Sequence, residues 1–260
     1  MKRLKIIIGL VSLSLLFNAC EKENIQTLPA ETINNSLVPT GNYPNAKIDA
    51  GGNNVWLDAY YSYYRNEYWA ESGNNYASCF AAAVVNVEGQ INKTVPTASS
   101  VKDKNNSMKG STKPDLVDKA NKRYIYSLSL QNMIDQLKAD GFTVENKTTT
   151  KRTTARDAII SAIQNDKWVI ALAGYMGGGL GHAYPIYALN LTKTNGVIDE
   201  SKSTIRVFDS WDGSWVSSNN STQTSLIAKA YTLSTFLDRM QTNTAGTKIY
   251  DYYNVITVKK

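Results

Sequence analysis

The apolar residues of this chain change their spacing part-way along, and that order limits the architectures open to it. As far as Asn165 the regular patterns are helical. Phe80 to Val87 is apolar and alanine-rich, as a buried helix requires. Leu130, Met133, Ile134 and Leu137 mark an amphipathic helix, capped near Ser127 or Ser129 and stopped at Gly141. Thr154 with Asp157 predicts the N-terminal cap of a further helix through Asn165. From Trp168 onward the pattern is different. Trp168 to Ala173, Ala183 to Leu189 and Ile205 to Phe208 are short apolar runs that predict buried strands. Tyr250 to Val258, rich in β-branched and aromatic residues, predicts a closing strand, with a short helix at Leu233 to Met240 before it. Helices first and strands later predict an α+β architecture rather than alternating βαβ units. No internal repeat is visible in the 260 residues, which suffice for a sizeable core.

Three stretches are harder to assign. Trp56 to Ala70 puts Leu57, Tyr61, Tyr64 and Tyr68 at helical spacing, with Trp56, Tyr60 and Tyr63 beside them. This predicts a helix that packs an aromatic face on the core or offers a sugar- or peptide-binding platform. Residues 71–78 read as a polar turn. Residues 96–123, rich in Lys, Ser and Asn, read as a long surface insertion with little regular structure.

The N-terminus carries a different kind of signal. Lys2, Arg3 and Lys5 precede Ile6 to Phe17, an apolar stretch too short to span a bilayer comfortably. Leu16-Phe17-Asn18-Ala19-Cys20 then resembles the lipobox of bacterial lipoproteins, with a small residue directly before a Cys. The resemblance implies cleavage after residue 19, acylation of Cys20, and a protein tethered to a membrane by lipid at the cell envelope, in the periplasm or on the outer-membrane surface. Residues 20–54, with three prolines and Gly51-Gly52-Asn53-Asn54, read as a flexible tether, and 55–260 as one domain. Removing residues 1–19 takes three of 28 basic residues and none of 22 acidic ones, leaving a net charge of +3. That charge is too modest, and too scattered, to argue for nucleic acid.

If Cys20 is acylated, Cys79 is the only remaining cysteine and no intrachain disulfide is possible. Such a thiol is either buried and inert or reactive. Cys79 sits where a turn enters a helix, and a helix N-terminus favours thiolate over thiol. His182 is the only histidine, so any Cys/His pair must use it as the base. It follows Gly177-Gly178-Gly179-Leu180-Gly181, which lacks the Lys-Ser/Thr of a phosphate loop and leads into a strand. Asp209 ends a predicted strand, where a carboxylate can fix the imidazole tautomer, although Asp and Ser also favour plain turns.

In combination these blocks resemble the papain-like cysteine peptidases, including bacterial relatives of the staphopain and bacteriocin-leader-peptidase kind. Ser78-Cys79-Phe80-Ala81 is similar to that family's Ser-Cys-Trp-Ala, and Gly181-His182-Ala183 to its His-Ala strand. Asp209-Ser210-Trp211 is similar to its Asn-Ser-Trp block. The resemblance spans roughly 56–260. It implies a Cys-bearing central helix packed on a C-terminal antiparallel sheet or half-barrel. It also implies a Cys79–His182–Asp209 triad, with the sulfur about 4 Å from a ring nitrogen, and Trp211 shielding the His182–Asp209 contact. The partner would be a peptide or protein substrate, the chain would act as a monomer, and neither cofactor nor metal would be needed.

The chain departs from the family in two places. Asp209 stands where plant enzymes have Asn. Gly73 stands where the family has the Gln of its oxyanion hole, leaving Asn74 or Asn75 as amide donors beside the Cys79 backbone N–H. Other amide chemistry, of the transglutaminase or cell-wall amidase type, an inactive relative serving as a surface binding lipoprotein, and an unrelated glycan binder using the Tyr/Trp-rich stretch are the competing readings.

Overall fold

The computed structural model describes residues 47–48, 52–59, 63–71, 74–97, 99–109, 116–118, 123–125, 128–175, 181–210 and 228–260. The architecture is α+β, with antiparallel strand pairing throughout.

The first helix, α1 (Cys79–Asn92), forms because Ser78 caps it, its Oγ accepting from the Ala81 N–H, and because the run from Ala81 to Val87 is apolar apart from Asn86. Every residue of that run is buried, so α1 is a core helix. It ends at Lys93, whose φ of 57° is left-handed. Gly89 is required within it, since a Cβ there would lie 2.8 Å from the Tyr63 carbonyl oxygen. Asn86 fixes the same neighbouring segment: its Oδ1 accepts from Arg65 N–H at 2.6 Å and its Nδ2 donates to Arg65 O at 3.0 Å.

Helix α2 (Ser100–Lys109) lies against α1 and α3 (Leu130–Ala139). It falls inside the stretch expected to be an irregular insertion. Only Val101 and Met108 anchor it apolarly, together with Lys104, which bridges Glu88 of α1 and Asp140 after α3 at 2.8 Å each. Helix α3 begins at Ser129 with a capping box in which Asn132 returns the bond, and stops at Gly141, whose φ is +87°. Helix α4 (Arg152–Gln164) starts two residues before the expected Thr154 cap, and its N-cap Lys151 makes no side-chain cap bond. Tertiary contacts fix that end instead. Arg152 pairs with Glu200 at 2.8 Å and with Asp238, and Arg156 joins Glu200 at 3.1 Å.

The main sheet contains β1 (Lys47–Ile48), β2 (Asn54–Trp56), β7 (Thr143–Asn146), β8 (Trp168–Gly174), β9 (Gly181–Asn190), β12 (Thr204–Phe208), β13 (Ala228–Thr232) and β14 (Val255–Lys259). Its order is β1-β2-β9-β8-β14-β7, with β12 also paired to β9 and then to β13. All seven residues of β8 are buried, so both faces of the sheet are covered there. The short helix α5 (Leu233–Arg239) buries Leu233, Phe236 and Leu237 against β8, β12 and β13. Small hairpins complete the fold: β3 (Tyr68–Glu71) with β4 (Asn74–Ala77), β5 (Leu116–Asp118) with β6 (Arg123–Ile125), and β10 (Lys193–Thr194) with β11 (Val197–Ile198).

Three further expectations are corrected. The described residues of Trp56 to Ala70 form no α-helix, and Tyr60 and Tyr61 lie outside them. Val55 pairs with Leu189 across the edge of β9, Leu57 continues the pairing by donating to Tyr187 O at 2.8 Å, and Tyr68 already belongs to β3. The β propensity of Trp and Tyr, together with an open edge on β9, overrides the helical spacing. Residues 71–78 hold strand β4 rather than only a turn. The last strand begins at Val255, not Tyr250. The residues before it turn away, and Tyr253 bridges to Thr149. Residues 47–48, within the stretch read as tether, pair with β2.

Candidate functional site

Cys79, His182 and Asp209 come from three separate elements and meet at one place. Cys79 is the first residue of α1, half-buried, at the positive end of the helix dipole. His182 is the second residue of β9, opposite Ala173 of β8, and only 3% exposed. Tyr175 and Tyr184 hold its ring edge-on, with centroids at 5.6 and 4.6 Å. Asp209 directly follows β12, beside β9, and is buried.

The Nε2 of His182 lies 3.1 Å from Asp209 Oδ1, within ion-pair distance. The oxygen sits off the N–H axis, so the contact is an ion pair with a bent hydrogen bond rather than a well-aligned one. On the other side of the ring, Nδ1 lies 3.8 Å from Glu67 Oε2. The Cys79 sulfur, a Glu67 carboxylate oxygen and a His182 ring nitrogen are all within 4.8 Å of one another. Burial alone would pull the imidazolium pKa down. The charge of Cys79, then Asp209, more than offset that, and the His182 pKa stands well above its ordinary value.

Glu67, absent from the sequence-based set of candidates, is buried beside the histidine and clipped at several points. Ser210 Oγ donates to Glu67 Oε2 at 2.6 Å. The Glu67 N–H donates to Ser210 O at 3.4 Å, and Ser78 N–H donates to Glu67 O at 3.2 Å. Glu67 therefore joins the segment entering α1 to the segment leaving β12. Three tyrosines complete the surroundings. Tyr64 Oη donates to the Asp209 carbonyl at 2.8 Å. Tyr231, raised well above the ordinary phenol range by burial and then by the Asp209 charge, has its hydroxyl within reach of the Asp209 carboxylate. Tyr250 is pushed up to about 12 by burial and by nearby Cys79. Its hydroxyl occupies the space that a side chain at position 181 would need, since a Cβ on Gly181 would come within 1.9 Å of it. The sixteen tyrosines were the only hint of these roles in the sequence.

Asn74, suggested as an oxyanion donor, lies on β4, but its side chain and that of Asn75 are outside the described residues. Trp211, expected to shield the His182–Asp209 contact, and Cys20, the expected acylation site, also lie outside them. Among the described residues no helix is long and apolar enough to cross a membrane.

Chemically, this is a thiol at a helix N-terminus beside an imidazole with carboxylates on two sides. Such a group can hold a thiolate–imidazolium pair and move its proton. Glu67, Cys79 and His182 are also the kinds of ligand that hold a transition metal. None of the family models compared with this chain matches it, and neither does any curated protein.

Proposed function

We propose that the chain is a papain-like cysteine peptidase, cleaving peptide bonds through Cys79, His182 and Asp209. One observation carries this reading: the only histidine and the cysteine at the head of α1, remote in sequence, share a site within 4.8 Å, with a carboxylate behind the imidazole. The thiolate of Cys79 attacks the scissile carbonyl carbon, and the imidazolium of His182 passes its proton to the departing amine. The resulting acyl-enzyme is opened by a water whose proton returns to His182. Asp209, anchored by Tyr64 and Tyr231, fixes the ring and stabilises its charged form. The Cys79 backbone N–H at the head of α1 supplies one oxyanion donor. The lipobox-like N-terminus gives the companion reading of an envelope lipoprotein. Palmitate should label the full chain in a bacterial host, and Cys20→Ala should abolish the labelling.

The peptidase reading is tested by mass spectrometry after incubation with a broad covalent cysteine-peptidase inhibitor. One adduct on Cys79 is expected in the wild type, and a much slower reaction in His182→Ala. A folded wild type that stays unmodified refutes the activity.

A further inference from the structure

We propose that the same cluster is a built site for a thiophilic divalent cation of the zinc type, held by Cys79 Sγ, His182 Nδ1 and Glu67 Oε2. That the ion silences the protein rests on the peptidase reading; that it binds does not. Three ligand atoms of three chemical kinds lie within 4.8 Å of one another, and Oε2 to Nδ1 is 3.8 Å. Bonds of about 2.0–2.3 Å to a tetrahedral zinc place ligand atoms roughly 3.3–3.7 Å apart, so closure needs movement of about 1 Å or less. Thiolate, imidazole and carboxylate together suit zinc better than magnesium or calcium, which take oxygen ligands.

The surroundings are those of a metal site as well. Asp209 stands behind His182 on Nε2, leaving Nδ1 for the ion, in the carboxylate–histidine–metal arrangement. Ser210 Oγ donates to the same Oε2 at 2.6 Å, which fixes that oxygen and leaves it a second lone pair for the ion. Glu67 and His182 are each only 3% exposed at the side chain, so neither ligand has to be gathered from solvent. Cys79 is half-buried and forms the open side, where a water would take the fourth position. Charge argues the same way. Three groups that become anionic surround a single imidazole, and a divalent cation balances them better than one proton does. Binding displaces the proton shared by Cys79 and His182 into solvent and leaves the sulfur coordinated, so it can no longer attack a carbonyl. A simple Cys/His pair offers only two such ligands; Glu67 is what turns the pair into a site.

The test uses the full-length Cys20→Ser chain in detergent, where Cys79 is the only cysteine. Cobalt(II) added to the chelator-stripped protein should give a thiolate-to-metal charge-transfer band saturating at one ion per chain. Zinc should displace it and protect Cys79 from iodoacetamide. Glu67→Gln, checked for folding by circular dichroism, should weaken zinc by at least about 10-fold, because even outer partners of a metal site cost that much. No charge-transfer band on the wild type, zinc affinity unchanged in Glu67→Gln, or a zinc-loaded protein still alkylated at the metal-free rate would each overturn the site. If metal-free Cys79 is itself sluggish toward iodoacetamide at pH 6, the peptidase reading fails, while the cobalt titration still decides the metal site.

Discussion

Two clusters in this molecule use nearly the same ingredients and serve opposite ends. At the junction of α1, α2 and α3, Lys104 stands between Glu88 and Asp140, touching both at 2.8 Å. At the candidate site, His182 stands between Glu67 and Asp209 at the looser distances of 3.8 and 3.1 Å, with Cys79 added. The helix cluster has closed contacts and a cation that keeps its proton, since burial opposes the Lys104 charge but the two carboxylates prevail. The histidine cluster has instead an imidazole, whose ordinary pKa lies near neutrality, and a thiol within 4.8 Å.

The largest expected effect would erase that contrast if it failed. Iodoacetamide should alkylate Cys79 rapidly at pH 6, and His182→Ala should slow this by on the order of 100-fold, since an ordinary thiol is well under about 1% ionised there. A rate independent of His182 would mean that the imidazole does nothing to the thiol beside it. Next, Lys104→Ala should lower stability by about 1–2 kcal/mol, read by urea denaturation, because it strands two partly buried carboxylates. It should leave Cys79 alkylation unchanged; a change there would mean that the clusters are coupled.

A smaller effect concerns the imidazole itself. One histidine gives a single pair of ring C–H resonances, so its titration can be followed directly by NMR. It should titrate above the usual histidine range, and Asp209→Asn should move it down by removing a charge that favours the imidazolium. The smallest effect belongs to Glu88, pushed up to about 7 by burial and then by its hydrogen bond to Asp140. A carboxyl raised on folding binds its proton more tightly in the folded state. Its contribution is therefore full below the unfolded pKa of about 4.3 and is lost as pH rises through about 7. Glu88→Gln, which stays neutral, should gain a degree or two of melting temperature relative to wild type between pH 5 and pH 8.

What the sequence revealed and what it hid divide along physical lines. The helix at Cys79 was legible because an alanine-rich apolar run has one stable use, and Ser78 announces its start. His182 and Asp209 were legible because the single histidine leads a continuous apolar strand and the carboxylate ends another. Helix α2 was not, since Val101 and Met108 are too few to show a period among polar residues, and its main anchor is a lysine. The strand at Asn54–Trp56 was hidden because only the edge of β9 makes it a strand. Glu67 was hidden for a further reason. Its place beside His182 is held by Ser210, 143 positions away, and no local pattern encodes such a contact.

The position of β14 bears on how the protein is made. This strand, the latest in sequence among those described, lies between β8 and β7, paired to each along most of its length. Until the ribosome has passed Lys259, β8 and β7 have nothing to join them. Tyr250, which seats against Gly181 beside Cys79, is also translated after every other residue of the site. A chain halted before that point lacks both the strand that covers the outer edge of β8 and the tyrosine beside Cys79. Synthesis order therefore leaves one edge of β8 uncovered until nearly all of the chain is available to fold.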